Sequence, residues 1–315
     1  MTCPCKKREE YTTTVVTRET REGEGLWVKC DQCGLVINES GVDPDKTVAY
    51  YNEDYVKKNS YSKGELLSAK EHFESRLSNI KVIADFLKPY LDKKMRVLEL
   101  GAATGELLYL LKDNVDYCYA NEINQLYSSF IEQELGIPSS SDDYFTKEFK
   151  EKFNLIISIN TIDHMYGTFD AISKVNNDLL PGGYFYVEVP NDNQALKNFL
   201  PEPMRSSFQA FMYQKAHYFS FSFDTLSAAL KDRGFEIVKE YSRHDYTINN
   251  YLNWYFTGKP QKKFKEALED TDIHLSDTSF GKEMNSLMKE MNEKFKQIIQ
   301  NHRFGELICI LAKKI

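Results

Sequence analysis

No apolar run in the 315-residue chain approaches the ~18–20 residues that a membrane-spanning helix needs. The opening MTCPCKKREE lacks the apolar stretch of a secretory signal, so a cytoplasmic setting is expected. Basic charge is in short supply as well. Forty Lys and Arg stand against 47 Asp and Glu, a net charge of −7, which argues against a surface built for nucleic acid. Internal repeats and low-complexity runs are absent. Cysteine is scarce: there are six, and four of them (Cys3, Cys5, Cys30 and Cys33) crowd into the first 33 residues. Cys118 and Cys309 sit in strand-like runs and read as small buried hydrophobes. What is present, 42% hydrophobic and 28% charged residues, is an ordinary globular mixture with enough chain for a sizeable core.

The pattern changes along the chain. Residues 1–62 are short, polar and punctuated. From residue 64, Phe73, Leu77, Ile80, Ala84 and Leu87 mark one face of a long helix that Pro89 ends. Strands and helices then alternate: RVLEL (96–100), YCYAN (117–121), a weaker strand near 138–141, LIISIN (155–160) and YFYVEVP (184–190). A helix from about 168 to 180 is read as broken by PGG at 181–183. A helix at 222–233, FEIVKEY (235–241) and ELICILAKK (306–314) complete the set. Such alternation implies a doubly wound, mostly parallel sheet of seven strands in an α/β fold. Three parts follow: an N-terminal module over 1–62, an α/β domain over 63–245 and 304–315, and an insertion over 246–303. In the insertion, Met284, Leu287, Met291, Phe295 and Ile298 form a helical stripe expected to pack on its own domain, with a lid or dimer helix as the alternative.

The loop after the first strand reads ELGAATGELL. A dinucleotide frame would need glycines at 101, 103 and 106, and Glu106 puts a carboxylate where a phosphate should sit. The frame acid, Gly, small, Gly at alternate positions does fit, as Glu99, Gly101, Ala103 and Gly105. In this it resembles motif I of the class I S-adenosylmethionine-dependent methyltransferases. That resemblance implies a Rossmann-like fold with the cofactor held by Glu99, Gly101, Ala102, Ala103 and Gly105. It also implies Glu122, with Ile123 beside it, at the ribose hydroxyls. Asp143 and Tyr144 would lie near adenine, and Asn160 at the end of the 155–160 strand. FNLIISINTIDHM and LLPGGYFYVEVPN resemble the family's later motifs, with Asn154 where an Asp is usual.

C-P-C at 3–5 and C-D-Q-C-G at 30–34 look like two knuckles of a closed, structural Cys₄ zinc site with Cys3, Cys5, Cys30 and Cys33 as ligands. Cys pair, C-x-x-C-G and the tyrosine-rich AYYNEDYVKKNSY together resemble the zinc-containing sugar methyltransferases, including sugar C-methyltransferases. The three-domain members of that family continue into a further domain that this sequence does not include. KAHYFSFSFDTL (215–226) aligns with their general-base segment and places the histidine at His217, with Ala216 where they carry an acid and Ser220 where they carry a tyrosine. His217 is thus a candidate base, or a histidine hydrogen-bonded between the 184–190 strand and the following helix. Asp163 and His164, just past the 155–160 strand, read as scaffold first and catalytic second. Tyr50, Tyr51 and Tyr55 could wall a cation or pin the module, and Trp254 and Tyr255 could stack on a sugar or be core. The leading expectation is methyl transfer to a sugar or sugar-like small molecule. The alternatives are O- or N-methylation of another metabolite, an RNA methyltransferase gripping through the zinc module, and a non-catalytic subunit.

Overall fold

The computed structural model describes residues 12–40, 61–62, 65–165, 167–262, 264–268 and 278–315. Its strands in chain order are β1 (Thr13–Thr20), β2 (Gly23–Cys30), β3 (Val36–Asn38), β4 (Tyr61–Ser62), β5 (Glu65–Leu66) and β6 (Arg96–Leu100). Then come β7 (Tyr117–Asn121), β8 (Ser139–Ser140), β9 (Phe153–Ile159) and β10 (Leu179–Pro190). The last three are β11 (Phe219–Ser220), β12 (Phe235–Arg243) and β13 (Leu307–Lys314). Seven of them form one sheet in the order β12-β13-β10-β9-β6-β7-β8. β10–β9, β9–β6, β6–β7 and β7–β8 all pair in parallel. These are the seven strands expected from the alternation, including the weak one at 139–140.

By compactness the chain divides into two units, one from 42–188, 227–239 and 310–315 and the other from 1–41, 189–226 and 240–309. In the first, the long helix runs Ala69–Leu87 and buries Phe73, Ile83, Ala84 and Leu87. Ser68 caps it: its hydroxyl accepts the Glu71 N–H while the Glu71 carboxylate accepts the Ser68 N–H, a reciprocal box worth about 1 kcal/mol. Leu77 and Ile80, expected on the buried face, are half-buried. The helix before β10 stops at Asp178, and β10 begins at Leu179. PGG therefore does not separate helix from strand. It is a bulge inside β10, where the register jumps from Leu179 opposite Phe153 to Tyr184 opposite Leu155, and left-handed Gly182 (φ 74°) makes the bend. The cysteines of the inner strands, Cys118 here and Cys309 in the other unit, are buried as expected.

The second unit holds a four-stranded sheet, β1-β2-β3-β11, that periodicity did not announce. Its strands are short and polar on one side, and β11 comes from a segment some 180 residues downstream of β3. Trp27 of β2 is buried and stacks on Tyr213 at 4.7 Å. The Tyr213 hydroxyl donates to Asp192 (2.7 Å), and Lys197 donates to that same hydroxyl (2.8 Å) and to Asp192 (2.6 Å). Helices Ala195–Phe199 and Met204–Met212, unread in the sequence, carry Leu196, Leu200 and Phe208 into a cluster with Trp254. Trp254 is therefore core, ringed by Phe208 at 5.0 Å and Phe211 at 5.1 Å, and not a platform for a sugar. Its neighbour Tyr255 is exposed. The insertion comprises helices Ile248–Thr257, Phe264–Leu268 and Ser279–Asn301. The expected packing stripe of the last one points inward only in part: Phe295 packs on Tyr251 and His244, and Met284 is half-buried. That helix buries Gly281, Asn292 and Ile299, and Leu287, Met291 and Ile298 are exposed. The polar Asn292 is inside because its carbonyl accepts the Ile248 N–H at 3.0 Å, a partner that hydropathy cannot reveal. No helix among the described residues is long and apolar enough to cross a membrane.

Candidate active site

In the first unit the loop after β6 is shaped by backbone that ordinary side chains resist. Gly101, Ala103 and Gly105 have φ of 67°, 48° and 83°. A Cβ on Gly101 would stand 2.2 Å from the Thr161 hydroxyl, and one on Gly105 would stand 2.9 Å from Ile131. Both glycines are therefore required by close approach as well as by φ. Ala103 tolerates the position at a strain of roughly 1–2 kcal/mol. Ala102 is buried, while Gly101 and Ala103 are half-buried.

Carboxylates converge around this loop. Glu122, just past β7, accepts the Ala103 N–H and the Asn124 N–H, each at 2.8 Å. Burial pushes its pKa up to about 7 against those two hydrogen bonds. Glu99 on β6 is buried with one carboxylate oxygen lacking a hydrogen-bond partner. Burial, then Glu106, raise its pKa well above the carboxylate range. Glu106 opens the helix Glu106–Leu111, where a negative charge meets the positive end of the helix dipole. Burial would raise its pKa, but the hydrogen-bonding His72 and the cationic Arg76 outweigh it and hold the carboxyl below its ordinary value. Thr104 donates to Glu106 (2.7 Å) and lies 3.1 Å from His72 Nδ1. Glu106 is held ionised, and buried Glu99 and Glu122 would regain full charge beside a positive group, so the site suits a cation and is hostile to phosphate, which fits S-adenosylmethionine.

The remaining expected residues of this unit divide. Asn160, just past β9, lies in the left-handed region (φ 47°), which asparagine tolerates, and its N–H donates to the Glu188 carbonyl at 2.8 Å. Ile123 is half-buried and Asp143 exposed, the latter accepting the Phe145 N–H at 2.9 Å. Tyr144 is different: its ring is buried and its hydroxyl donates to Asp178 at 2.8 Å. It packs against the helix Thr168–Asp178. Asp163 and His164 share a single turn after β9, Asp163 buried and 3.7 Å from the His164 Nε2. His72, Thr104, Glu106 and Thr161 carry no motif that marks them in the sequence; only the carboxylate of Glu106, in the glycine loop and hostile to phosphate, gives a local signal.

A scan of family models matches residues 71–240 to the methyltransferase domain family. The chain belongs to that family. It is an S-adenosylmethionine-dependent methyltransferase. Among solved structures, magnesium protoporphyrin IX methyltransferase from Synechocystis, with bound S-adenosylhomocysteine, is 11% identical. It aligns over 87% of this chain and 100% of its own, at a TM-score of 0.51. A possible histamine N-methyltransferase from Thermotoga maritima is 14% identical over 85% and 100%, at 0.50. These likenesses speak for the fold. A search of the curated proteins finds no match.

In this methyltransferase the second unit carries the other expected residues. The turn after β2 runs from buried Cys30 to exposed Cys33, closed by the Gly34 N–H on the Cys30 carbonyl (2.8 Å) and the Cys30 N–H on Leu35 (2.9 Å). A tight turn with cysteines at its first and fourth positions fits one thiolate pair of a zinc knuckle. Cys3 and Cys5, like Tyr50, Tyr51 and Tyr55, lie outside the described residues. His217 precedes β11. Buried Asn38 of β3 donates its side-chain amide to the His217 carbonyl (3.0 Å) and the Lys215 carbonyl (3.3 Å), and its backbone N–H to Tyr218 (3.1 Å). The histidine segment is thus bound edge-on to the strand that follows the cysteine turn.

Proposed function

We propose that this methyltransferase modifies a sugar or sugar-like small molecule, with His217 as general base and a structural zinc held by Cys30 and Cys33 together with Cys3 and Cys5. The observation that supports the reading is the Asn38 clamp. It ties the His217 backbone to β3, which pairs with β2 across the C-x-x-C turn, so a metal that stiffens the turn would also steady the base. Bound S-adenosylmethionine would supply an electrophilic methyl group. The residues for holding it are Glu99 toward its ammonium, the backbone of Gly101 and Ala103, and Glu122 toward its ribose hydroxyls. The His217 imidazole would take the proton that an acceptor hydroxyl or acidic C–H gives up, a contribution of roughly 10²–10⁴-fold.

The test is an acceptor search with radiolabelled S-adenosylmethionine over nucleotide-sugar, free-metabolite, RNA and protein pools, with His217→Ala in parallel. Label that enters the sugar pool and disappears in the variant is the expected result. Label entering RNA overturns the substrate class. Label entering sugar equally with His217→Ala removes that residue from the chemistry. The metal is tested separately: zinc content should be stoichiometric. Chelation should expose the buried Trp27 and shift its fluorescence to the red, because binding free energy of a structural zinc is folding free energy for a small sheet.

A further inference from the structure

The helix Ser279–Asn301 has two apolar faces, and the fold uses one. Gly281, Asn292 and Ile299 are buried, and Phe295 meets the rings of Tyr251 at 5.8 Å and His244 at 5.7 Å. Turned roughly a quarter of the way around the helix by its 3.6-residue period, a second stripe stays outside. Phe280, Leu287, Met291 and Ile298 are 61%, 48%, 44% and 52% exposed, with Met284 half-buried among them and Lys294 exposed. Scattered exposed apolar residues are ordinary, but a line of them along one helix marks an interaction surface. Positions 280, 284, 287, 291, 294 and 298 also follow the alternating four-and-three spacing of a coiled-coil seam.

We propose that this stripe is the contact with a second copy of the chain, the two helices running antiparallel about a two-fold axis beside residue 289. That axis pairs Phe280 with the partner's Ile298, Leu287 with the partner's Met291, and Met284 with the partner's Lys294. The surface is therefore self-complementary, as an isologous interface must be. Charge selects the direction. Parallel helices would bring Lys294 against Lys294 within the seam. Antiparallel helices lay the Lys294 stem over Met284 and set its ammonium beside the partner's Glu283, twice by symmetry. Glu290 lies near the axis and has Lys294 one turn along its own helix to offset its symmetry mate. The helix is already ordered by its inner face, so association does not carry the cost of folding it. A seam of about 19 residues spans only ~27 Å, which places the contact at the small end of stable interfaces and the dimer in the micromolar range.

Sedimentation velocity of the full chain across the micromolar range tests this. The expected result is a concentration-dependent dimer whose dissociation constant rises at least about tenfold in Leu287→Glu/Met291→Glu, as central apolar contacts do when charged. Lys294→Glu should weaken it severalfold, and Glu283→Lys combined with Lys294→Glu should restore it. All four positions are exposed, so at concentrations where the wild type is monomeric the thermal midpoint should match it in every variant, as should S-adenosylhomocysteine affinity. A wild-type monomer throughout overturns the proposal and leaves the stripe to another occupant. A dimer indifferent to Leu287→Glu/Met291→Glu also overturns it. Failure of the charge exchange to restore association overturns the antiparallel register.

Discussion

Ala103 occupies a conformation that glycine holds without strain (φ 48°). Replacing it should relieve about 1 kcal/mol, so Ala103→Gly is expected to raise the denaturation midpoint while leaving the loop able to bind cofactor, as calorimetry and S-adenosylhomocysteine titration would check. Glu122 sets a pH dependence. Its folded pKa of about 7 lies above the ordinary 4.5 because the carboxylate is buried. Between those values the folded chain holds a proton that the unfolded chain has lost, so this group lowers stability as pH rises from 4.5 to about 7, with no further change above. If Glu122 takes hydrogen bonds from the ribose hydroxyls, binding favours its ionised form. Cofactor affinity should then fall about tenfold per pH unit below 7, level off above it, and lose this dependence in Glu122→Gln. A flat profile for the wild type in isothermal titration would remove Glu122 from that role.

Among the elements, β3 and β11 carry the most consequence for function. Asn38 is buried and bonds two carbonyls of the 215–217 segment. Truncating it leaves those carbonyls without their amide donor and frees the His217 backbone. If His217 is the base, Asn38→Ala should lower kcat by roughly tenfold or more, since small displacements of a positioned base are costly. With the cofactor held by the loop after β6 and Glu122, as proposed, its affinity should not change. Equal loss in both would make Asn38 a stability residue alone. The bulge in β10 has the opposite character. Its Pro-Gly-Gly looks like the end of a helix in one dimension, yet five residues of β10 simply span two of β9 before regular pairing resumes.

For the whole molecule, net charge and topology act together. At −7 the chain has no excess of basic residues to release counterions from a phosphate backbone. Binding to RNA should be undetectable at physiological salt and should not reappear in a salt-titrated filter or mobility assay. Tight, salt-sensitive binding would contradict this and revive the nucleic-acid alternative.

The seven strands, the parallel core and the cofactor loop were legible in the sequence because each follows from short-range pattern: apolar runs, crossover helices, and glycines spaced where backbone must turn. The acidic character of the site was visible in Glu99, Glu106 and Glu122, but not that burial would drive two of them toward neutrality. Nothing local in VIN or in FS says that β3 and β11 pair, since their contact joins residues about 180 positions apart and rests on Asn38. The apolar periodicity of 279–301 was equally plain in one dimension. Which of its two faces turned inward was decided by a hydrogen bond from Ile248 to Asn292. Hydropathy ranks side chains by transfer from water, whereas a folded interior also ranks them by the partners it can offer.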